Sequence, residues 1–419
     1  MKKLIYTSFS PNTRFKDIVL NLGLLLNPFR WFKGCCGEEV IKIFENRFPS
    51  YTAFTFNYAR SGMYVLFRSL NFKKNDEVLV QGYTCVAAIN PVIWSGGKVV
   101  YVDIDPLTGN MDINDLNRKI SENTRMIMFQ HTYGCSSGIE EVADICKDKK
   151  IALVEDCTNT IFGKHKDRLI GSYGDASVFS FGRDKAVSGV DGGLILIDKK
   201  SPFISVDKMN IESERMNKPS NKWVFLELIY PLIWYLIKKF YNLKLGKFIH
   251  FTSTRLGLIS KATSNNEKKG LIEKNIPSLL PNALACLTLR QLNDIEAIND
   301  HRKKIVDIYK KGLSDIVGLE SLLIIDGNVP LRYTVTVENR ESLVKFLKNN
   351  NIYVGDWYTT PIAPAEVDME SVGYIVGMCP MSEIFCSKVL NLPNHVNINE
   401  NDAQKIVNLI REFYGNKGN

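Results

Sequence analysis

The sequence predicts an α/β domain built on a mostly parallel, doubly covered sheet, followed by a smaller C-terminal α+β domain. Three observations predict it. Short apolar runs rich in β-branched residues recur after Asn57: "DEVLVQ", "KVVYVDID", "RMIMFQ", "IALVED", "ASVFSF" and "GLILID". Segments with helical spacing, such as "CVAAINPVIWSG" and "GIEEVADICKDKK", separate them. Such alternation implies crossover connections and strands buried on both faces. From Ala283 onward the pattern changes to one long helical run, "ALACLTLRQLNDIEAINDHRKKIVDIYKKGL", then a strand candidate and two further helices.

The N-terminal segment, 1–56, reads as helical, as part of the small domain or facing a membrane. Its start, "MKKLIYTSFSPNTRF", is basic, but the apolar run is too short and too polar for a secretory signal. Residues 57–204 carry the strand–helix alternation and open with a helix start, "ARSG". Residues 205–275 form a basic, apolar helical insertion. Residues 276–419 supply the linking helix and the small domain, with "RYTVTV" as a strand, "NRESLVKFLKNN" as a helix and "ENDAQKIVNLIREFY" as the last helix.

Composition is ordinary for a globular protein, with 45% hydrophobic and 23% charged residues. Nine cysteines and five histidines lie without metal-ligand spacing, and Cys35–Cys36 is the only close cysteine pair. The expectation is reduced thiols in a cytosolic setting and no structural zinc. His131 reads as structural, and His165 and His301 as solvated. The net charge is +8, and it is concentrated. Arg215, Lys218, Lys222, Lys238, Lys239, Lys244, Lys247, Arg255 and Lys261 face one acidic residue, Glu227, so nine minus one accounts for the whole excess. The rest of the chain is balanced, which argues against a nucleic-acid-binding protein.

The stretch "SFGRDKAVSGVDGG" places Lys185 between two buried strand candidates. Ligands in parallel sheets bind beyond the C-terminal strand ends, where Asp156 ends "IALVED" and Ser180 ends "ASVFSF". Together these parts fit a pyridoxal 5′-phosphate site. A lysine amine condenses with the aldehyde. A carboxylate keeps the pyridine nitrogen protonated, so the ring draws electrons. Hydroxyls and a helix N-terminus bind the phosphate.

With these residues the sequence resembles the DegT/DnrJ/EryC1/StrS aminotransferases, sugar aminotransferases of the fold-type I pyridoxal phosphate superfamily. The resemblance runs from about Asn57 to Tyr414, apart from the insertion. Its segments are "DEVLVQGYTCVAAINPVIWSGGKVVYVDIDPLTGNMD", "HTYG", "VEDCTNT", "SFGRDKAVSGVDGG", "LRQLNDIEAINDHR" and "VLNLPNHVNI". It implies a seven-stranded sheet, with Lys185 as the Schiff-base lysine and proton shuttle and Asp156 as the partner of the pyridinium nitrogen. It implies that Ser180, Arg60, Ser61 and Gly62 hold the phosphate. Tyr83, Thr84 and Cys85 fall in the loop over one face of the ring, and Asn159 over the other. Four residues depart from the family pattern. Cys85 stands where a ring-stacking aromatic is common, and Asn159 where Gln or His is usual. Pro277 and Leu279 stand near where many members offer a partner-subunit Asn and Arg. Members that dehydrate replace the lysine with His, so Lys185 argues against that chemistry.

The resemblance implies a homodimer that takes an amino group from glutamate and gives it, in a ping-pong cycle, to a nucleotide-linked keto-sugar for surface polysaccharide or glycoconjugates. The insertion raises a further option. Trp223 to Ile237 is 15 residues, apolar except for Glu227, and a spanning helix needs about 20. Flanking lysines with Trp, Tyr and Phe suit a helix lying in an anionic membrane surface through 215–261. The competing reading is a hairpin packed on the protein or in a dimer interface. The expected location is the cytoplasm, with a peripheral place on the inner membrane face as the option. The alternative function is a non-catalytic, membrane-associated scaffold or regulator that keeps the fold.

Overall fold

The computed structural model describes residues 4–8, 10–243 and 245–415. Lys244, one of the basic residues of the insertion, lies outside the described residues, as do the ends of the N-terminal segment and of the last domain.

Seven strands form the central sheet: β1 (Tyr51–Phe56), β2 (Glu77–Gln81), β3 (Lys98–Val102), β4 (Thr124–Gln130), β5 (Ala152–Asp156), β6 (Ala176–Ser180) and β7 (Gly193–Asp198). Their order is β1-β7-β6-β5-β4-β2-β3. Only β7 runs antiparallel to its neighbours, and the other pairings are parallel. The alternation read from the sequence is therefore a crossover sheet. The seventh strand, β1, lies in the segment expected to be helical. Its sequence, "YTAFTF", is aromatic and β-branched, and that composition favours a strand; it takes an edge beside β7.

Period-two alternation buries both faces of the sheet. Val78, Val80, Met126, Met128, Val154 and Val178 meet Met63, Leu66 and Phe67 of helix α3 (Ala59–Ser69). Leu79, Ile127, Phe129 and Leu153 turn the other way onto Ile139 and Val142. Helices α1 (Phe15–Leu25) and α2 (Cys36–Arg47) precede β1, and α4 (Val86–Trp94) follows β2. Phe44 of α2 is fully buried against Phe162, Phe179 and Phe181. Truncating a ring in such a site costs about 3–5 kcal/mol.

The insertion contains α5 (Asn221–Lys239) and α6 (Leu245–Arg255). Trp223, Val224, Leu228 and Trp234 of α5 pack with Trp31 and with Ala283, Leu284 and Leu287 of α7 (Asn282–Leu292). One face of the 15-residue apolar run is thus a spine buried on the protein, because its Trp and Leu side chains carry too much apolar area to leave in water. No helix among the described residues is long and apolar enough to cross a membrane.

The smaller α+β part joins β8 (Leu319–Ser321), β9 (Tyr333–Val337) and β10 (Val389–Leu392) into an antiparallel sheet. Helices α8 (Ile295–Leu313), α9 (Arg340–Asn349) and α10 (Glu400–Gly415) cover it through Tyr309, Leu343, Leu347, Ile406 and Ile410.

Two expectations about side chains are corrected. The thiols are not all reduced, since Cys36 of α2 and Cys286 of α7 form a disulfide with Cα atoms 5.1 Å apart. They are 250 residues apart in sequence, and only the packing of α2 on α7 brings them together. His165 is buried, with Nδ1 2.8 Å from Ser136 Oγ and Nε2 3.4 Å from Glu140, and His301 is half-buried. His131 is buried and structural, its Nε2 3.0 Å from Glu155. Glu155 also accepts the N–H groups of Gly171, Tyr173 and Gly174. Glu155, His131 and Cys157 lie close enough together to share an ion, but those three N–H donors already satisfy the carboxylate.

Candidate active site

Six strands, β1 to β6, end on one edge of the sheet, and the antiparallel β7 begins there. Register pairs Gln130 with Asp156, and Val178 with Asp156. Ser180 pairs with Gly193, the first residue of β7. A Cβ at Gly193 would stand 2.3 Å from the Ala59 backbone. A glycine at this position is therefore what lets α3 start on this edge. The sheet thus gathers Asp156, Ser180 and the α3 N-terminus before any side chain acts.

Lys185 sits on the loop between β6 and β7. Its Nζ donates to Asn159 Oδ1 at 3.1 Å and lies 3.4 Å from Thr158 Oγ1. Burial lowers its pKa below the ordinary lysine value; the carboxylate of Asp156 opposes that shift, and the nearby Arg332 adds to it. The shift moves the amine toward its neutral, nucleophilic form. Asp156 accepts the Thr158 N–H at 2.9 Å, which fixes its carboxylate at the strand end. Around Gly182, the position of an added Cβ would be 3.4 Å from Ser180 Oγ and 3.5 Å from Lys185 Cγ. Lys185, Asp156, Asn159 and Ser180 are therefore brought together.

Cys85 is the N-cap of α4 and feels both Lys185 and Arg60. Burial raises its thiol pKa despite the Ala87 N–H and those two cations. Tyr83 joins Tyr133 hydroxyl to hydroxyl at 2.6 Å and accepts the Tyr358 N–H. Thr84 donates to Gln130 at 2.6 Å. No side chain caps the N-terminus of α3, which leaves its positive end for an anion. Ser61 there donates to Asn57 at 2.7 Å, and Gly62 packs on Phe56 and Ile195. Arg60 is already occupied. It pairs with buried Glu267 at 2.5 Å and lies over the Tyr58 ring. Pro277 and Leu279 lie beside the end of β1, where Leu279 bridges to Phe56.

Several residues here escape the sequence motifs. Trp357 and Tyr358 stack on each other, and the Lys185 Nζ lies 5.4 Å from the Trp357 ring centroid. Arg332 lies over the same ring at 3.5 Å. The sequence signal of Trp357 and Tyr358 is the adjacent aromatic pair in "DWY". Two resemblance segments turn out to hold the lysine loop. Arg302, fully buried, donates to Asn12 Oδ1, the Ala186 carbonyl and the Asn394 carbonyl. Gln291 accepts the Ser188 N–H at 2.8 Å. The insertion reaches the loop as well. Glu227 of α5 pairs with Arg183 at 2.7 Å, two residues before Lys185.

The chemistry of this donor set fits pyridoxal phosphate: an amine of lowered pKa, a carboxylate fixed beside it, and a hydroxyl near an uncapped helix start. Comparisons with known proteins point the same way. The model of the DegT/DnrJ/EryC1/StrS aminotransferase family matches residues 31–217 and 264–411, leaving out most of the insertion. A GDP-perosamine synthase of Escherichia coli O157:H7 is 23% identical over 384 residues, covering 90% of this chain and 91% of that protein. The fold matches Helicobacter pylori PseC, an aminotransferase involved in pseudoaminic acid biosynthesis, with a TM-score of 0.75, 20% identity and coverage of 99% of this chain and 100% of that one. It also matches the putative sugar aminotransferase Spr1654 of Streptococcus pneumoniae in its PMP form, with a TM-score of 0.75, 19% identity and coverage of 97% and 99%.

Proposed function

We propose, from the premise that this chain belongs to the DegT/DnrJ/EryC1/StrS aminotransferase family, that it moves an amino group from glutamate to the keto group of a nucleotide-linked sugar. The observation that carries the reading is Lys185, a half-buried side chain whose amine faces Asp156 and Asn159 at the strand ends. Bound there, pyridoxal phosphate supplies an electrophilic carbonyl and an electron-withdrawing ring.

The chain's own residues do the rest. Lys185 offers its amine and afterwards carries a proton at Nζ, a task its burial suits. Asp156 holds negative charge where a ring N–H would need it. Ser180 and the α3 N-terminus take the phosphate, with Ser61 and Gly62 forming the first turn. Arg60 supports that turn through Glu267 and does not reach outward itself. Cys85 and Asn159 would lie toward the ring, and Tyr358 lies near enough to Cys85 to feel its charge.

Sugar aminotransferases act on nucleotide-sugars for surface polysaccharides and glycoconjugates, and that is the setting proposed here. A homodimer and a place at a membrane surface belong to the same reading, the latter supported by the charge of the insertion. The test is the near-ultraviolet and visible absorbance of the purified protein, before and after glutamate, with Lys185→Ala as control. A visible band lost on adding glutamate and absent in the control is the expected result. No band even after added cofactor would overturn the reading and leave the scaffold alternative.

A further inference from the structure

Half of one helix is built inside out. On α1, Asp17 and Asn21 are buried, and the Asn21 amide has no hydrogen-bond partner. Phe15, Val19, Leu22 and Leu26, spaced by three and four residues, form one exposed stripe, and Phe29 extends it. A helix that only had to cover the core would turn these faces the other way. Helix α6 repeats the pattern with Leu245, Phe248, Phe251 and, just beyond its end, Leu256. Exposure over the two sets runs from 45% for Leu245 to 84% for Phe29. Both helices pack on α5, whose Phe225 and Leu236 are also exposed.

Charge selects what covers this surface. Segments 10–33 and 218–261 together hold twelve lysines and arginines and two acidic residues, Asp17 and Glu227. Both acids are buried. Every carboxylate in these segments is thus withdrawn, and Lys16, Arg30, Lys239, Lys247 and Arg255 are exposed among the apolar side chains. A second copy of the same face would bring like charges together, which is unfavourable. Large apolar side chains rimmed by lysine and arginine fit the boundary of an anionic bilayer.

We propose that α1 and α6, carried on α5, form a face that docks on an anionic lipid surface. This deepens and rests on the surface placement in the function proposed above, and it moves the contact. The apolar run 223–237 is the buried support, and its two flanking helices meet the lipid.

Vesicle flotation of the full-length, cofactor-loaded protein tests it. The probes are pure phosphatidylcholine vesicles and vesicles with about 30% phosphatidylglycerol, at low and high salt. Binding to the anionic vesicles alone, lost at high salt, is expected. The double variants Phe248→Ser/Phe251→Ser and Lys247→Glu/Arg255→Glu should each weaken it about tenfold or more, with cofactor absorbance and thermal midpoint unchanged. Four results would overturn the proposal: no binding to anionic vesicles by folded protein, equal binding to neutral ones, binding indifferent to both variants, or a dimer that Phe248→Ser/Phe251→Ser converts to monomer. The last would assign the face to a second copy. The donor-dependent spectrum is read separately, so amine transfer and lipid docking can fail independently.

Discussion

Replacing Glu227 with Gln should loosen the loop that carries Lys185, although Glu227 belongs to the insertion. Its carboxylate accepts Arg183 Nη2 at 2.7 Å and Ser260 Oγ at 3.1 Å. Arg183 is 5% exposed, pairs with Asp191 at 3.1 Å and lies 4.0 Å from the Tyr230 ring centroid. Breaking a buried pair by removing one partner costs about 3–5 kcal/mol. The cluster can recover part of that. Burial, with Glu227 close by, holds the Asp191 carboxyl well above the ordinary carboxylate range against the pull of Arg183. Without Glu227, Asp191 ionises more readily and becomes the counter-ion of Arg183. The expected loss is therefore smaller, about 2–3 kcal/mol near neutral pH.

The sign of the pH dependence follows. A carboxyl whose pKa is raised on folding gives stability that is fully present below its unfolded pKa and lost as pH rises through the folded one. The native protein carries that penalty at Asp191, mainly from burial, and Glu227→Gln removes the part that Glu227 causes. The stability gap between native and variant should therefore narrow as pH rises. Urea unfolding followed by circular dichroism across mildly acidic to mildly alkaline pH measures the gap. Arg183→Met with Glu227→Leu, which removes both charges, should cost less than Glu227→Gln alone. A constant gap across pH, or a double variant worse than the single one, would refute the buried-cluster argument.

Three further outcomes are expected. Lys185→Ala should abolish glutamate-dependent bleaching of the visible band while leaving the fold's circular dichroism intact. Cys36→Ser should lower stability by roughly 2–5 kcal/mol, the range for closing a long loop, and a reductant should lower the melting temperature of the native protein but not of the variant. Gly193→Ala should cost more than an ordinary glycine replacement, because its methyl group would overlap the Ala59 backbone; loss of cofactor absorbance at unchanged secondary structure is the readout.

The parallel strands were legible because each is a short β-branched run with turn residues around it, and burial on both faces demands such runs. Asp156, Ser180 and Lys185 were legible because the sheet fixes where strand ends lie, and chemistry gathers there. β1 stands apart: "YTAFTF" favours a strand by composition, but it closes an N-terminal segment of helical pattern and precedes the strand–helix alternation. The Cys36–Cys286 bridge was hidden for another reason. A pairing across 250 residues is set by helix packing and leaves no local signal.

Arg60 marks the limit of reading a site position by position. An arginine at a helix start beside a phosphate site looks like a phosphate ligand, yet here Glu267 claims it. That glutamate lies near the end of the insertion, and its side chain is buried against α3. Glu227 does the same for Arg183. The insertion thus supplies acidic partners for two arginines that flank the lysine loop and the phosphate end. Their effect is to neutralise buried cations: Glu267 pairs with Arg60, and Glu227 shares Arg183 with Asp191; a buried charge left without a partner costs several kcal/mol. The insertion is therefore tied to the loop that carries Lys185 by charge as well as by packing, through an ion pair two residues from the amine.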